Sequence, residues 1–108
     1  MSVIAADNRL FVIDLDYTVP FEQIEPLLGP HMAFVAQAYQ QGHFLLSGPK
    51  EPRTGGIVLA QAPNLETLQA LLAQDPFITE NVVQLTISSF QPSNMAPALR
   101  DVLLGAPD

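Results

Sequence analysis

From Leu10 to Tyr17 the chain alternates in a way that predicts a strand. Phe11, Ile13, Leu15 and Tyr17 fall on one face, and Leu10, Val12, Asp14 and Asp16 on the other. The first half of that strand is therefore apolar on both sides. Pro20 to Gly42 reads as one helical region whose first part is interrupted by Pro26, Gly29 and Pro30. Proline suits a first helical turn, so the continuous helix is expected to restart near Pro30. Leu28, Met32, Val35 and Tyr39 then form an apolar stripe at helical spacing. Gly42 is placed to end the helix in a left-handed conformation.

A short strand, His43 to Ser47, follows and is expected to stop at Gly48-Pro49. Lys50 to Gly55 carries the proline and glycine punctuation of a turn. The third strand, Gly56 to Gln61, contains the run Ile57-Val58-Leu59-Ala60, as a strand buried on both faces would. Asn64 is a suitable N-cap for a second helix over Leu65 to Ala73, with Leu65, Leu68 and Leu72 facing the core. In the last strand, Val82 to Phe90, Val83, Leu85 and Ile87 alternate with Gln84, Thr86 and Ser88. Residues 1–8 read as a loose leader and 92–108 as a tail in which Ala98 to Leu104 forms a helical turn or two.

The order βαββαβ predicts a ferredoxin-like α+β domain, a four-stranded antiparallel sheet with two helices on one face. The 108 residues suit a single domain. The helix-free face would leave Leu10, Val12 and half of the third strand in water. Pairing two such faces in a homodimer is the simplest way to cover them.

Composition narrows the partners. A formal charge of −7, with only four lysines and arginines, disfavours nucleic acid and anionic membranes. No apolar run approaches the roughly 20 residues that span a bilayer. The absence of cysteine excludes disulfides and thiolate chemistry, and a cytoplasmic setting is the default expectation. A small molecule or a protein partner remains.

Three polar signals stand at the ends of apolar segments: His31, Ser47-Gly48-Pro49 and Asp75-Pro76-Phe77. A histidine and an aspartate suffice to move a proton near neutral pH, with the carboxylate orienting one ring nitrogen and freeing the other. Asp75 before a proline is equally a turn starter whose side chain bonds backbone two residues on. Ser47 and the Gly48 amide are placed to bind a substrate oxygen, and Tyr17 and Phe77 to wall a cleft. No metal-ligand spacing accompanies the two histidines, and no cofactor is expected.

The blocks His31-Met32-Ala33, Gly42-His43-Phe44-Leu45-Leu46-Ser47-Gly48-Pro49 and Asp75-Pro76-Phe77-Ile78 make the chain resemble the YCII-related (YciI-like) family of dimeric α/β-barrel proteins. The resemblance implies a homodimer and a cleft in which His31 and Asp75 pair. One branch of the family looks like a dehydrochlorinase of chlorinated hydroxyquinols. The arginine common shortly before the family's histidine is missing, the stretch being Leu27-Leu28-Gly29-Pro30, and Asn81 stands where a glycine is usual. The function expected is a cofactor-independent lyase, isomerase or dehydrochlorinase-like reaction on a small cyclic metabolite, with His31 and Asp75 catalytic. The alternative is a non-catalytic small-molecule-binding or assembly module.

Overall fold

A computed structural model describes residues 2–105. Four strands, β1 (Arg9–Tyr17), β2 (Phe44–Pro49), β3 (Gly55–Ala62) and β4 (Val83–Phe90), form one antiparallel sheet in the order β2-β3-β1-β4. This is the ferredoxin-like arrangement. Phe11, Ile13 and Leu15 of β1 and Val58, Ala60 and Ala62 of β3 share one core with Val35 and Ala38 of α2 (Leu28–Gln40) and Leu68 and Leu72 of α3 (Leu65–Leu72). One face of the sheet thus carries both main helices, and the alternation read in β1 and β4 is the alternation of that packing.

The region after β1 is a staircase of three pieces. α1 (Phe21–Ile24) leads through a 3-10 turn (Glu25–Leu27) into α2, which starts at Leu28, two residues before the expected restart at Pro30. Pro26 sits in the opening of the 3-10 turn and Pro30 in the first turn of α2, where a missing N–H costs nothing. The inward stripe is also shifted from expectation. Met32 and Tyr39 are exposed, and the buried positions are Ile24, Val35 and Ala38. The lead-in turns rotate the helix so that small Ala38, not Tyr39, meets the sheet. Gly42 ends the helix at φ 82°, and the His43 amide reaches back to the Ala38 carbonyl at 2.9 Å.

β2 starts at Phe44, one residue later than expected, and runs on to Pro49; an edge strand tolerates a proline there. Its register shifts between Phe44 and Leu46. The bulge places Phe44 opposite Ala60 and Ser47 opposite Val58, so both side chains face the helices although strict alternation would separate them. Gly55 opens β3 because a Cβ there would lie 1.7 Å from the Leu15 carbonyl oxygen. Asn64 caps α3 as expected, its side chain accepting from the Thr67 amide at 2.8 Å, and Leu65 faces out rather than into the core.

The chain ends depart from the expected loose leader and tail. α5 (Pro97–Leu104) is tied to the N-terminal segment by bonds from the Val3 and Ile4 amides to the Val102 and Leu103 carbonyls, 3.1 and 2.9 Å. Gln61, buried at 4% exposure, anchors the segment further. Its amide nitrogen donates to the Val3 and Gly42 carbonyls, and its oxygen accepts from the Ala5 amide and the Asn8 side chain. A buried amide needs such partners, and residues 3–8 supply most of them. Leu10, the cross-strand partner of Gln61, is covered at this end of the helix-free face. Met1 and residues 106–108 of the expected leader and tail lie outside the described residues.

Candidate active site

A pocket of about 320 Å³ opens between α2 and the β2–β3 side of the sheet. His31, Ser47, Gly48, Tyr17, Asp75 and Phe77, all six singled out in the sequence, line it. Leu28, Met32, Val35, Phe44, Ile13, Leu15 and Val58 make most of the remaining wall apolar. This size suits a small ring compound, held by apolar wall with a few polar groups to orient it.

α2 delivers His31 from its first turn. The short helix α4 (Pro76–Thr79) delivers Asp75 as its N-cap. The two meet with His31 Nδ1 2.8 Å from Asp75 Oδ1, their side chains 17% and 3% exposed. The same Oδ1 accepts from the Phe77 amide at 3.0 Å. The turn-starting and histidine-orienting readings of Asp75 are therefore both true, and one oxygen serves them. A carboxylate can only accept, so it holds the proton of a neutral imidazole on Nδ1 and leaves the lone pair on Nε2. Among the described residues no hydrogen bond reaches Nε2.

Phe77 fixes the ring as well. It stacks on His31 with centroids 3.8 Å apart and planes 7° from parallel, and it receives the edge of Tyr17 at 6.1 Å. Asp75-Pro76-Phe77 thus forms one device: carboxylate, helix start and aromatic backing plate. Asn81 follows α4 at φ 55°, the left-handed position for which a glycine was expected, and asparagine is among the few other residues that adopt it readily.

Ser47 stands on the pocket wall because of the β2 bulge, and its Oγ lies 2.5 Å from the Tyr39 hydroxyl. Tyr39 was expected in the core; it instead rests edge-on against Phe44 and sets the serine. Gly48 pairs with Ile57 in the sheet, and beyond its chain neighbours nothing lies within 4 Å of where a Cβ would stand, so it adds no bulk to the pocket wall. Asp14 and Asp16 point to the opposite sheet face and both pair with Lys50. His43 does not line the pocket. Arg53, in the loop between β2 and β3, does, although nothing in its local sequence marks it.

The arrangement is that of a ferredoxin-like domain with a histidine–carboxylate pair on the wall of an apolar pocket. The chain belongs to the YCII-related domain family, whose model matches residues 6–91. No curated protein matches it. Among solved structures it is similar to 5-chloro-2-hydroxyhydroquinone dehydrochlorinase (TftG) from Burkholderia phenoliruptrix AC1100, in complex with 2,5-dihydroxybenzoquinone. That likeness has a TM-score of 0.66 at 15% identity, over 76% of this chain and 93% of that one. It is also similar to SnoaB, a cofactor-independent oxygenase from Streptomyces nogalater, with a TM-score of 0.50 at 16% identity, over 85% and 99% of the two chains. At these identities the likeness shows a shared fold.

Proposed function

We propose that this chain is a cofactor-independent enzyme that moves a proton on a small ring metabolite, in a lyase, isomerase or dehydrochlorinase-like reaction. The observation that carries the reading is the 2.8 Å contact between His31 Nδ1 and Asp75 Oδ1 on the wall of the pocket. Asp75 fixes the tautomer, Phe77 fixes the plane of the ring, and His31 Nε2 takes a proton from an acidic C–H or O–H of the substrate. Ser47 Oγ holds the substrate oxygen on which charge develops, Gly48 leaves room beside it, and Tyr17 and Phe77 pack against the ring. Loss of HCl from a chlorinated ring requires just such a base, and TftG, a dehydrochlorinase, has a comparable fold. A positioned general base contributes typically ~10² to 10⁴-fold.

The working form is a homodimer joined through the helix-free sheet face, where Leu46, Ile57 and Phe90 are exposed. Among the described residues no helix is long and apolar enough to cross a membrane. The absence of cysteine and the charge of −7 favour a cytoplasmic protein whose partners are small molecules rather than nucleic acid.

The test is a panel of hydroxylated and halogenated quinols and enolisable ring ketones, followed by mass spectrometry. Turnover by the wild type that falls by about a hundredfold or more in His31→Ala supports the reading. Turnover retained in His31→Ala overturns it, and saturable binding with no product would make the chain a binding module.

A further inference from the structure

Among the described residues Arg53 is the one lysine or arginine that lines the pocket. Of the chain's four lysines and arginines, Arg9 lines a separate groove beside Pro63 and Leu65, Arg100 lies on α5, and Lys50 is held between Asp14 and Asp16. Among the described residues no carboxylate pairs with the Arg53 guanidinium. Arg9 and Arg100 likewise have no carboxylate partner among the described residues, so what sets Arg53 apart is its place on the pocket wall.

The guanidinium has an aromatic neighbour. Its central carbon lies 5.1 Å from the centroid of the Phe21 ring. Phe21 packs against Tyr17 at 6.2 Å, and Tyr17 against Phe77 at 6.1 Å. A run of aromatic rings therefore connects the arginine at the rim to the ring backing His31. A cation–π contact of this kind does not use up the N–H groups of a guanidinium, which remain able to bind two oxygens at once. Among the described residues no hydrogen bond ties the guanidinium to another polar group of the wall: Asp75 Oδ1 is engaged by His31 and the Phe77 amide, and Ser47 by Tyr39.

We propose that Arg53 is the charge-selecting residue of this pocket, and that the ligand it selects is a flat ring carrying an anionic group, a carboxylate or an ionised enol. The proposal rests on the pocket assigned above as the substrate site. A chain of strong negative charge repels such a ligand everywhere else, so one oriented cation at the mouth both draws it in and fixes which end enters last. The apolar wall receives the ring, and the guanidinium stays at the rim with the charge. The charge reaches the pocket from the β2–β3 loop, a different place from the helix-start arginine expected by resemblance.

The probes are 2-naphthoate and 2-naphthamide, which share a ring system and differ by one charge. Titrations are followed by naphthalene fluorescence, since the chain has no tryptophan to interfere. The wild type should bind naphthoate more tightly than naphthamide, and the difference should shrink with added salt. Arg53→Gln should weaken naphthoate binding roughly tenfold to a hundredfold and leave naphthamide within about twofold, with Arg53→Lys recovering part of the preference. Equal naphthoate affinity in the wild type and Arg53→Gln overturns the proposal, as does a wild type that prefers the amide or binds neither probe. Charge preference is separable from proton transfer. A preference lost in Arg53→Gln and kept in His31→Gln supports the proposal whatever His31→Ala does to turnover. A preference untouched in Arg53→Gln overturns it and leaves the His31 reading to its own test.

Discussion

Asp75 Oδ1 holds His31 Nδ1 at 2.8 Å while also accepting the Phe77 amide at 3.0 Å, so one buried oxygen starts a helix and orients an imidazole. The two duties come apart on substitution. Asp75→Asn keeps an oxygen for the Phe77 amide but removes the charge. Its stability should stay within about 1 kcal/mol of the wild type, while proton transfer falls by about a hundredfold or more. Asp75→Ala should lose both functions, destabilising the fold by roughly 1–3 kcal/mol as cap and buried partner disappear. Two-bond ¹H–¹⁵N spectra give a direct readout. The wild type should show His31 protonated at Nδ1, and Asp75→Ala should show a mixture of tautomers.

The meeting of His31 and Asp75 was partly legible before any coordinates, because each stands where a local rule places a polar group at an element's end. His31 follows a proline in a first helical turn, and Asp75 precedes one at a helix start. β1 and β4 were legible for a similar reason: a strand with one face on the core must alternate. Ser47 was legible as a residue but not as an inward one, since its direction depends on a bulge set by pairing with β3. The rotation that buries Ala38 and exposes Met32 and Tyr39 arises from the 3-10 turn ahead of α2, which helical periodicity alone does not contain. The anchoring of residues 3–8 depends on Gln61, more than fifty positions away along the chain. Arg53 escaped notice because loop sequence says nothing of which cavity a loop borders.

Two glycines should respond to alanine in opposite directions. At Gly55 a Cβ would lie 1.7 Å from the Leu15 carbonyl oxygen and 2.8 Å from its carbon, both backbone atoms of the central strand. Gly55→Ala should therefore cost about 3 kcal/mol or more, or fail to give soluble protein. Gly29 lies in the first turn of α2, and beyond its chain neighbours and the helix's own backbone nothing lies within 4 Å of an added Cβ. Gly29→Ala should stabilise by about 0.4–1 kcal/mol, by restricting the unfolded chain and favouring the helix. Denaturant midpoints measured side by side decide both.

Lys50 links stability to pH at the alkaline end. Hydrogen bonds that Lys50 donates to Asp14, then to Asp16, raise its pKa above the ordinary 10.5, outweighing the opposing effect of desolvation. A pKa raised on folding means the contribution is complete below pH 10.5 and is lost as pH climbs through the higher folded value. The melting-temperature difference between wild type and Lys50→Met should accordingly be constant from neutrality to mildly alkaline pH and narrow beyond it. High salt should reduce it at every pH, because the cluster is open to solvent. A difference that grows with alkalinity would contradict this.

The helix-free face carries the remaining prediction. Leu46 is 66% exposed, and Ile57 and Phe90 are also exposed on that face, with Val12 and Leu59 half-buried between them. These side chains come from all four strands, so the patch is continuous across the sheet rather than a scatter of single apolar residues. Two such faces packed across a two-fold axis would remove these apolar side chains from water. The wild type should elute and scatter light as a dimer. Leu46→Asp and Ile57→Asp should shift it toward monomer, since each would bury an unpaired carboxylate at the interface. Phe77 and the His31–Asp75 contact lie on the helical side of the sheet, so the tautomer spectrum of His31 should survive in the monomeric variants. A monomeric wild type at micromolar concentration would require another explanation for an apolar surface of this extent.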